Sequence, residues 1–159
     1  MKIVKWVISL NITLFSQIVE LCDDIDIPDY CYLDLDGDCT SIEINGWFGP
    51  AGTVSPLHED PKHNLLCQVF GEKYVKLYPA TQTMHLYPNS STMFKNTSKI
   101  DVLNPDLNQF PQFIDAEGFD GIINEGDVLF IPAKCWHYVT SLSASFSVNF
   151  WWSKDKKNK

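Results

Sequence analysis

No run of eighteen apolar residues occurs in this 159-residue chain, so no segment reads as a membrane-spanning helix. Basic residues are scarce, 12 against 20 acidic, and the net charge of −8 argues against broad nucleic-acid binding, which needs a positive surface. That acidity is compatible with a basic peptide as partner. The five cysteines (Cys22, Cys31, Cys39, Cys67, Cys135) are odd in number and contain no Cys-x-x-Cys pair. A disulfide framework is therefore not expected, and they read as reduced thiols of an intracellular protein. The Trp6–Leu10 run behind Lys2 and Lys5 superficially resembles a signal sequence. Asn11 and Thr13 interrupt it, and no small-x-small cleavage site follows before Glu20, so secretion is not expected. The sequons at Asn11, Asn89 and Asn96 would matter only in a secreted chain. Internal repeats and βαβ alternation are also missing, which excludes a solenoid and a parallel sheet.

What is present is a packed globular composition, 45% hydrophobic and 13% aromatic, of a length that suits one domain. A short helix is expected around Leu14–Leu21, with Leu14, Ile18 and Leu21 on one face. Asp23–Asp38 is acidic and turn-rich, with a turn at Asp36-Gly37. Strands are expected over Ser41–Phe48, Asn64–Phe70, Lys73–Tyr78, Val128–Ile131, Trp136–Thr140 and Ser145–Trp152. The Gly71-Glu72 spacer predicts a two-residue hairpin between the second and third of these. Pro79–Gly118 reads as a long irregular insertion, with a short helix at Pro105–Phe110, and Asn124–Asp127 as a turn. Lys154–Lys159 is a polar basic tail. Short strands and tight turns in this order predict an all-β double-sheet jelly roll, a fold that holds ligands between its sheets.

The chemistry is concentrated in His58-Glu59-Asp60 and a distant His137. In an extended segment, positions 58 and 60 share a face and Glu59 points away. His137 is far enough downstream to return on another strand. Two imidazoles and one carboxylate form the facial ligand set of mononuclear non-haem iron oxygenases, which leaves positions open for cosubstrate and O2. Alone, His-x-Asp more often describes an exposed loop pair, and a lone lysine such as Lys73 is usually a solvated charge. His63 and His85 read as surface residues, and Cys67 and Cys135 as small hydrophobes. On a strand Cys135 could share the metal-facing side with His137. The aromatic group Phe146, Phe150 and Trp152 reads as core, with Trp151 set apart.

The flanks add a resemblance. Gly46–Pro50, Ser55–Asp60, Gly71–Tyr74, Phe130–Pro132, Trp136–Tyr138 and Ser145–Trp152, together with Ile27–Cys31, resemble the Jumonji C oxygenases in content and order. The resemblance runs from about Leu14 to Ser153. It implies the double-stranded β-helix, a cupin-like jelly roll, with His58, Asp60 and His137 as Fe(II) ligands. It implies Lys73 as the cation that pairs with the distal carboxylate of 2-oxoglutarate, and Asn64, Ser55, Trp151 and Trp47 as walls of the cosubstrate pocket. It further implies O2 as second cosubstrate, succinate and CO2 as products, and a protein or peptide substrate, basic or histone-like. The outcome would be arginyl hydroxylation or N-methyl-lysine demethylation, in the nucleus or cytoplasm.

Residues 1–21 diverge from that pattern, so the expected organisation is a partly helical segment 1–21, a catalytic domain 22–153 and a tail 154–159. The family carries further strands before Ile27, and the chain reads as N-terminally truncated. The alternative is therefore a non-catalytic jelly-roll module that binds metal or a partner without turnover. A small-molecule cupin enzyme is a third reading.

Overall fold

A computed structural model describes residues 14–32 and 42–153. The expected turn at Asp36-Gly37, Cys39, the Asn11 sequon, the signal-like run and the basic tail lie outside the described residues. Among the described residues, no helix is long and apolar enough to cross a membrane.

Among the described residues, eight strands fold into two antiparallel four-stranded sheets. They are β1 (Glu43–Gly49), β2 (Val54–Glu59), β3 (His63–Phe70), β4 (Lys73–Tyr78), β5 (Phe119–Ile123), β6 (Val128–Ile131), β7 (Trp136–Ser141) and β8 (Ser145–Trp152). The first sheet runs β1-β8-β3-β6 and the second β2-β7-β4-β5. This is the expected jelly roll. Each connection but one crosses between the sheets; only the Pro79–Gly118 insertion joins neighbours, β4 and β5, within a sheet.

That topology corrects the hairpin expected at Gly71-Glu72. β3 pairs with β6 and β8, whereas β4 pairs with β5 and β7, so the two residues turn a corner between sheets. A two-residue spacer serves either purpose, and Gly71 supplies the backbone conformation this corner needs. Its φ of 73° is open to glycine, and an added Cβ would lie 2.2 Å from the Ala144 carbonyl. The corner is tied to the β7–β8 turn through Leu142 N to Glu72 O, and Glu72 N to Ser143 Oγ.

Two strands were not legible. β2 contains Pro56, which weakens a strand signal, and β5 contains Gly121 at a sheet edge. The helix expected at Pro105–Phe110 is instead a turn, and a 3-10 helix follows at Pro111–Asp115, with a longer one at Ala80–Leu86. Proline at the first helical position fits, because its missing N–H has no partner there anyway. Near the N-terminus, α1 (Leu14–Gln17) is followed by 3-10 turns at Val19–Asp24 and Asp29–Tyr32. Leu14 and Leu21 pack inward as expected, but Ile18 is exposed.

The outer face of each sheet carries its own apolar layer. Leu65, Val148, Phe150 and Trp152 pack beneath Phe15 and Cys31 on the first sheet. Leu57, Tyr78, Trp136 and Tyr138 pack beneath Leu86, Ile100, Val102 and Phe110 of the insertion on the second. Each fully buried large apolar side chain contributes roughly 1.5–3 kcal/mol. Leu66, Val75 and Ile123 form a small cluster packed against Leu129 and Val139, and the inward polar positions of the strands line a cavity.

Candidate active site

β8 shows how the sequence builds that cavity. Its even positions, Phe146, Val148, Phe150 and Trp152, enter the outer apolar cluster. Its odd positions, Ser145, Ser147, Asn149 and Trp151, therefore turn inward between the sheets. Polar residues on a fully buried strand face indicate a ligand pocket more than a core. The cavity between the sheets has about 720 Å3 of empty space, counting the part open to solvent.

The eight residues singled out in the sequence all line this cavity: Trp47, Ser55, His58, Asp60, Asn64, Lys73, His137 and Trp151. His58 near the end of β2 and His137 on β7 are cross-strand partners, just past a register shift between Ser55 and His58. Their rings lie 4.1 Å apart. Asp60 follows β2 directly, and its Oδ2 is 3.8 Å from His58 Nε2 and 3.5 Å from His137 Nε2. One donor atom from each of the three falls within 4.8 Å of the others. Glu59 points away, and its Oε1 accepts from Lys134 Nζ at 3.2 Å.

Hydrogen bonds set the tautomers. His58 Nδ1 is 2.7 Å from Pro56 O, and His137 Nδ1 is 3.1 Å from Cys135 O. Because a carbonyl only accepts, each Nδ1 carries the proton and each Nε2 presents its lone pair to the cavity. Burial first, and the neighbouring His58 second, push the His137 imidazole down to about 3, against an upward pull from the Cys135 carbonyl. It is therefore neutral at ordinary pH, the form that binds a metal. Burial raises the Asp60 carboxyl; His58 opposes this, Glu59 reinforces it and Lys134 opposes it. Asp60 Oδ2 is buried without a hydrogen-bond partner. A cation would satisfy this buried carboxylate oxygen together with the two imidazole lone pairs, so the donor set fits a divalent metal such as Fe(II).

The segment holding these ligands is braced from both sides. Asn96 O accepts from Glu59 N at 2.8 Å, and Lys134 N donates to Asp60 O at 2.8 Å. Lys134 sits at φ 68°, in the left-handed region.

Farther along the cavity, Lys73 opens β4 and is buried. Its Nζ donates to Ser147 Oγ at 2.6 Å. Among the described residues no carboxylate pairs with it. Burial pushes its ammonium down to about 8. Asn64 Oδ1, Asn149 Oδ1 and Trp151 Nε1 line the same space and are buried without partners. A cation and three orphaned polar atoms facing one cavity suit an anionic ligand with further polar groups.

Several expectations about other residues change. Cys135 does not share the metal-facing side: it precedes β7, and its Sγ donates to Tyr78 O at 3.4 Å. Burial raises its thiol, with the Tyr78 backbone opposing. Neither Cys67 nor Cys135 is fully buried. His63 and His85 are half-buried and packed rather than surface residues: His63 stacks on Phe130 and accepts from Ala133 N, and His85 Nδ1 meets Gln82 Oε1 at 3.0 Å. Sequence reasoning missed Asn149, which lines the cavity, and Ser147, which accepts from Lys73. The signal was available, since Asn149 and Ser147 lie two and four residues before Trp151 on the same strand face.

A family profile described as Cupin-like domain matches residues 5–158. Lysine-specific demethylase 8 of Danio rerio is 55% identical over 140 residues, covering 88% of this chain and 34% of that protein. Lysine-specific demethylase JMJ30 of Arabidopsis thaliana is 52% identical over 145 residues, covering 91% and 33%. Jumonji C domain-containing protein 5 of Drosophila melanogaster is 47% identical over 139 residues, covering 87% and 35%. The chain thus spans about a third of the length of the curated relatives it matches. The jelly-roll topology, the profile that spans nearly all of it and these identities agree: the chain belongs to the cupin-like Jumonji C domain family.

Proposed function

We infer that the protein is an Fe(II)- and 2-oxoglutarate-dependent oxygenase that hydroxylates a protein side chain. The observation that carries this reading is the convergence of His58, Asp60 and His137 in one cavity with the buried Lys73, which meets no carboxylate among the described residues. His58 Nε2, His137 Nε2 and an Asp60 oxygen would hold the metal, and Lys73 would pair with the distal carboxylate of 2-oxoglutarate. Bound Fe(II) supplies the activation of O2 that couples oxidative decarboxylation of 2-oxoglutarate to oxidation of a substrate C–H bond.

The rest falls to the chain's own residues. Pro56 O and Cys135 O hold the two imidazoles as Nε2 ligands. Lys73 fixes one end of the cosubstrate by charge, a role suited to a compact ammonium. Ser55, Asn64, Trp47 and Trp151 bound the remaining space, and the two apolar outer layers keep the pocket walls rigid.

For the substrate we propose an N-methyl-lysine side chain, whose hydroxylated methyl group leaves as formaldehyde. Support comes from the names of the relatives in Danio rerio and Arabidopsis thaliana, both lysine-specific demethylases. The net charge of −8 suits a basic peptide. Arginyl hydroxylation would use the same centre and leave a stable alcohol. The test incubates methyl-lysine and arginine peptides with Fe(II) and 2-oxoglutarate, comparing the natural protein with His58→Ala. Succinate and formaldehyde from the natural protein alone are expected. A mass gain of one oxygen without formaldehyde moves the reading to hydroxylation, and equal succinate from both proteins overturns it.

The second reading, a jelly-roll module that binds metal or a partner without turnover, would use the same three metal ligands. Metal binding without 2-oxoglutarate binding would select it.

A further inference from the structure

Behind the pocket, three buried side chains on three strands form one directed run of hydrogen bonds. Gln68 on β3 donates its Nε2 protons to two backbone carbonyls, Phe70 O at 2.8 Å and Gly71 O at 3.0 Å. The opposite amide orientation would set its oxygen against both carbonyls, so the assignment is fixed by the network. Gln68 Oε1 can then only accept, and it accepts from Ser147 Oγ at 2.6 Å. A serine hydroxyl has one proton, and that proton is now used. Its remaining lone pairs face Lys73 Nζ, which donates at 2.6 Å. Gln68 is 2% exposed, Ser147 0% and Lys73 7%.

This arrangement does more than satisfy buried groups. A free hydroxyl can rotate to donate or to accept, and a donating Ser147 would favour the neutral amine of Lys73. Gln68 removes that choice. The lysine stem has four rotatable bonds, and the bond to Ser147 selects where its head group lies. Two ammonium protons are left, on a side chain that lines the cavity.

We propose that Ser147 and Gln68 are positioning residues for the cosubstrate, holding the Lys73 ammonium protonated and aimed where a distal carboxylate binds. Gln68 itself reads the geometry of the β3–β4 corner, through the Phe70 and Gly71 carbonyls, so the corner and the anion site are mechanically linked. The proposal rests on the reading of Lys73 as the carboxylate anchor.

The experiment loads the full chain with Mn(II) and titrates two 2-oxo acids by calorimetry: 2-oxoglutarate, and 2-oxobutyrate, which lacks the distal carboxylate. Ser147→Ala is expected to weaken 2-oxoglutarate roughly tenfold, as for loss of one hydrogen bond to a charged group. It should leave 2-oxobutyrate and Mn(II) affinities unchanged. Gln68→Met should weaken 2-oxoglutarate in the same selective way, and the double variant should be no weaker than Ser147→Ala, because both act through one proton. Equal weakening of the two acids, or of neither, overturns the proposal. Lys73→Met separates the two levels. If it binds 2-oxoglutarate like the natural protein, the anchor reading itself fails; if it alone loses 2-oxoglutarate, only the positioning role fails.

Discussion

Replacing Lys73 by methionine should make the ligand-free protein more stable while removing its affinity for 2-oxoglutarate. Burial pushes the Lys73 ammonium from an ordinary value of 10.5 to about 8. At about 1.4 kcal/mol per pH unit, keeping it charged in the fold costs roughly 3 kcal/mol near neutral pH. Methionine matches the stem in length and flexibility and carries no charge. Against the gain stands the bond to Ser147, whose oxygen loses its donor at about 1 kcal/mol. The net is a stabilisation of roughly 2 kcal/mol, equivalent to a Tm increase of about 4–8 °C for a chain of this size. The unfolded chain holds the Lys73 proton more tightly than the folded protein does. Natural stability therefore rises with pH between about 8 and 10.5, and the variant lacks this rise. Melting followed by circular dichroism near pH 7 and near pH 10, without ligand, checks both parts. A variant that melts lower near pH 7, or a gap that does not close with pH, would show that the buried Lys73 charge does not cost the fold stability. Such trade-offs between stability and function are expected where a site holds an unpaired buried charge.

Three further outcomes follow from the same geometry. Gly71→Ala should lose more than about 2 kcal/mol in urea denaturation, because the corner needs a φ of 73° and its Cβ would lie 2.2 Å from the Ala144 carbonyl. Leu86→Ala should lose about 2–5 kcal/mol, since Leu86 is fully buried between the insertion and the second sheet, while Mn(II) affinity is kept. Mn(II) affinity should fall as pH drops, beginning above the usual carboxylate range because burial raises Asp60; Asp60→Asn should bind Mn(II) at least tenfold more weakly at every pH, as read by calorimetry.

The parts of this protein that could be read from its sequence are those where one strand face is unambiguous. β8 shows its period of two plainly, and His58 and Asp60 declare themselves by sharing a face of an extended run. β8 also shows the limit of that reading. Its apolar residues pack outward under α1 and its serines and Asn149 point inward, the reverse of a simple sandwich, because the interior is a pocket. Only the placement of Trp151 hinted at this. β2 was hidden by Pro56 and β5 by Gly121 and its edge position, both of which lower strand propensity without preventing pairing. The Gly71-Glu72 corner could not be told from a hairpin by length alone. What separates them is which strands β3 and β4 meet, a property of the whole topology. Gln68 carried no signal as a polar residue on an apolar strand; its meaning appears only when Ser147 and Lys73 come to lie beside it.

The proposed site holds a metal at His58, Asp60 and His137 and a 2-oxo acid between that metal and Lys73, in one cavity. Titrating 2-oxoglutarate into the Mn(II)-loaded chain tests it most directly. Saturable binding of one equivalent is expected, abolished by omitting Mn(II), by His58→Ala or by Lys73→Met. A protein that binds Mn(II) through the three side chains yet takes up no 2-oxoglutarate would contradict it.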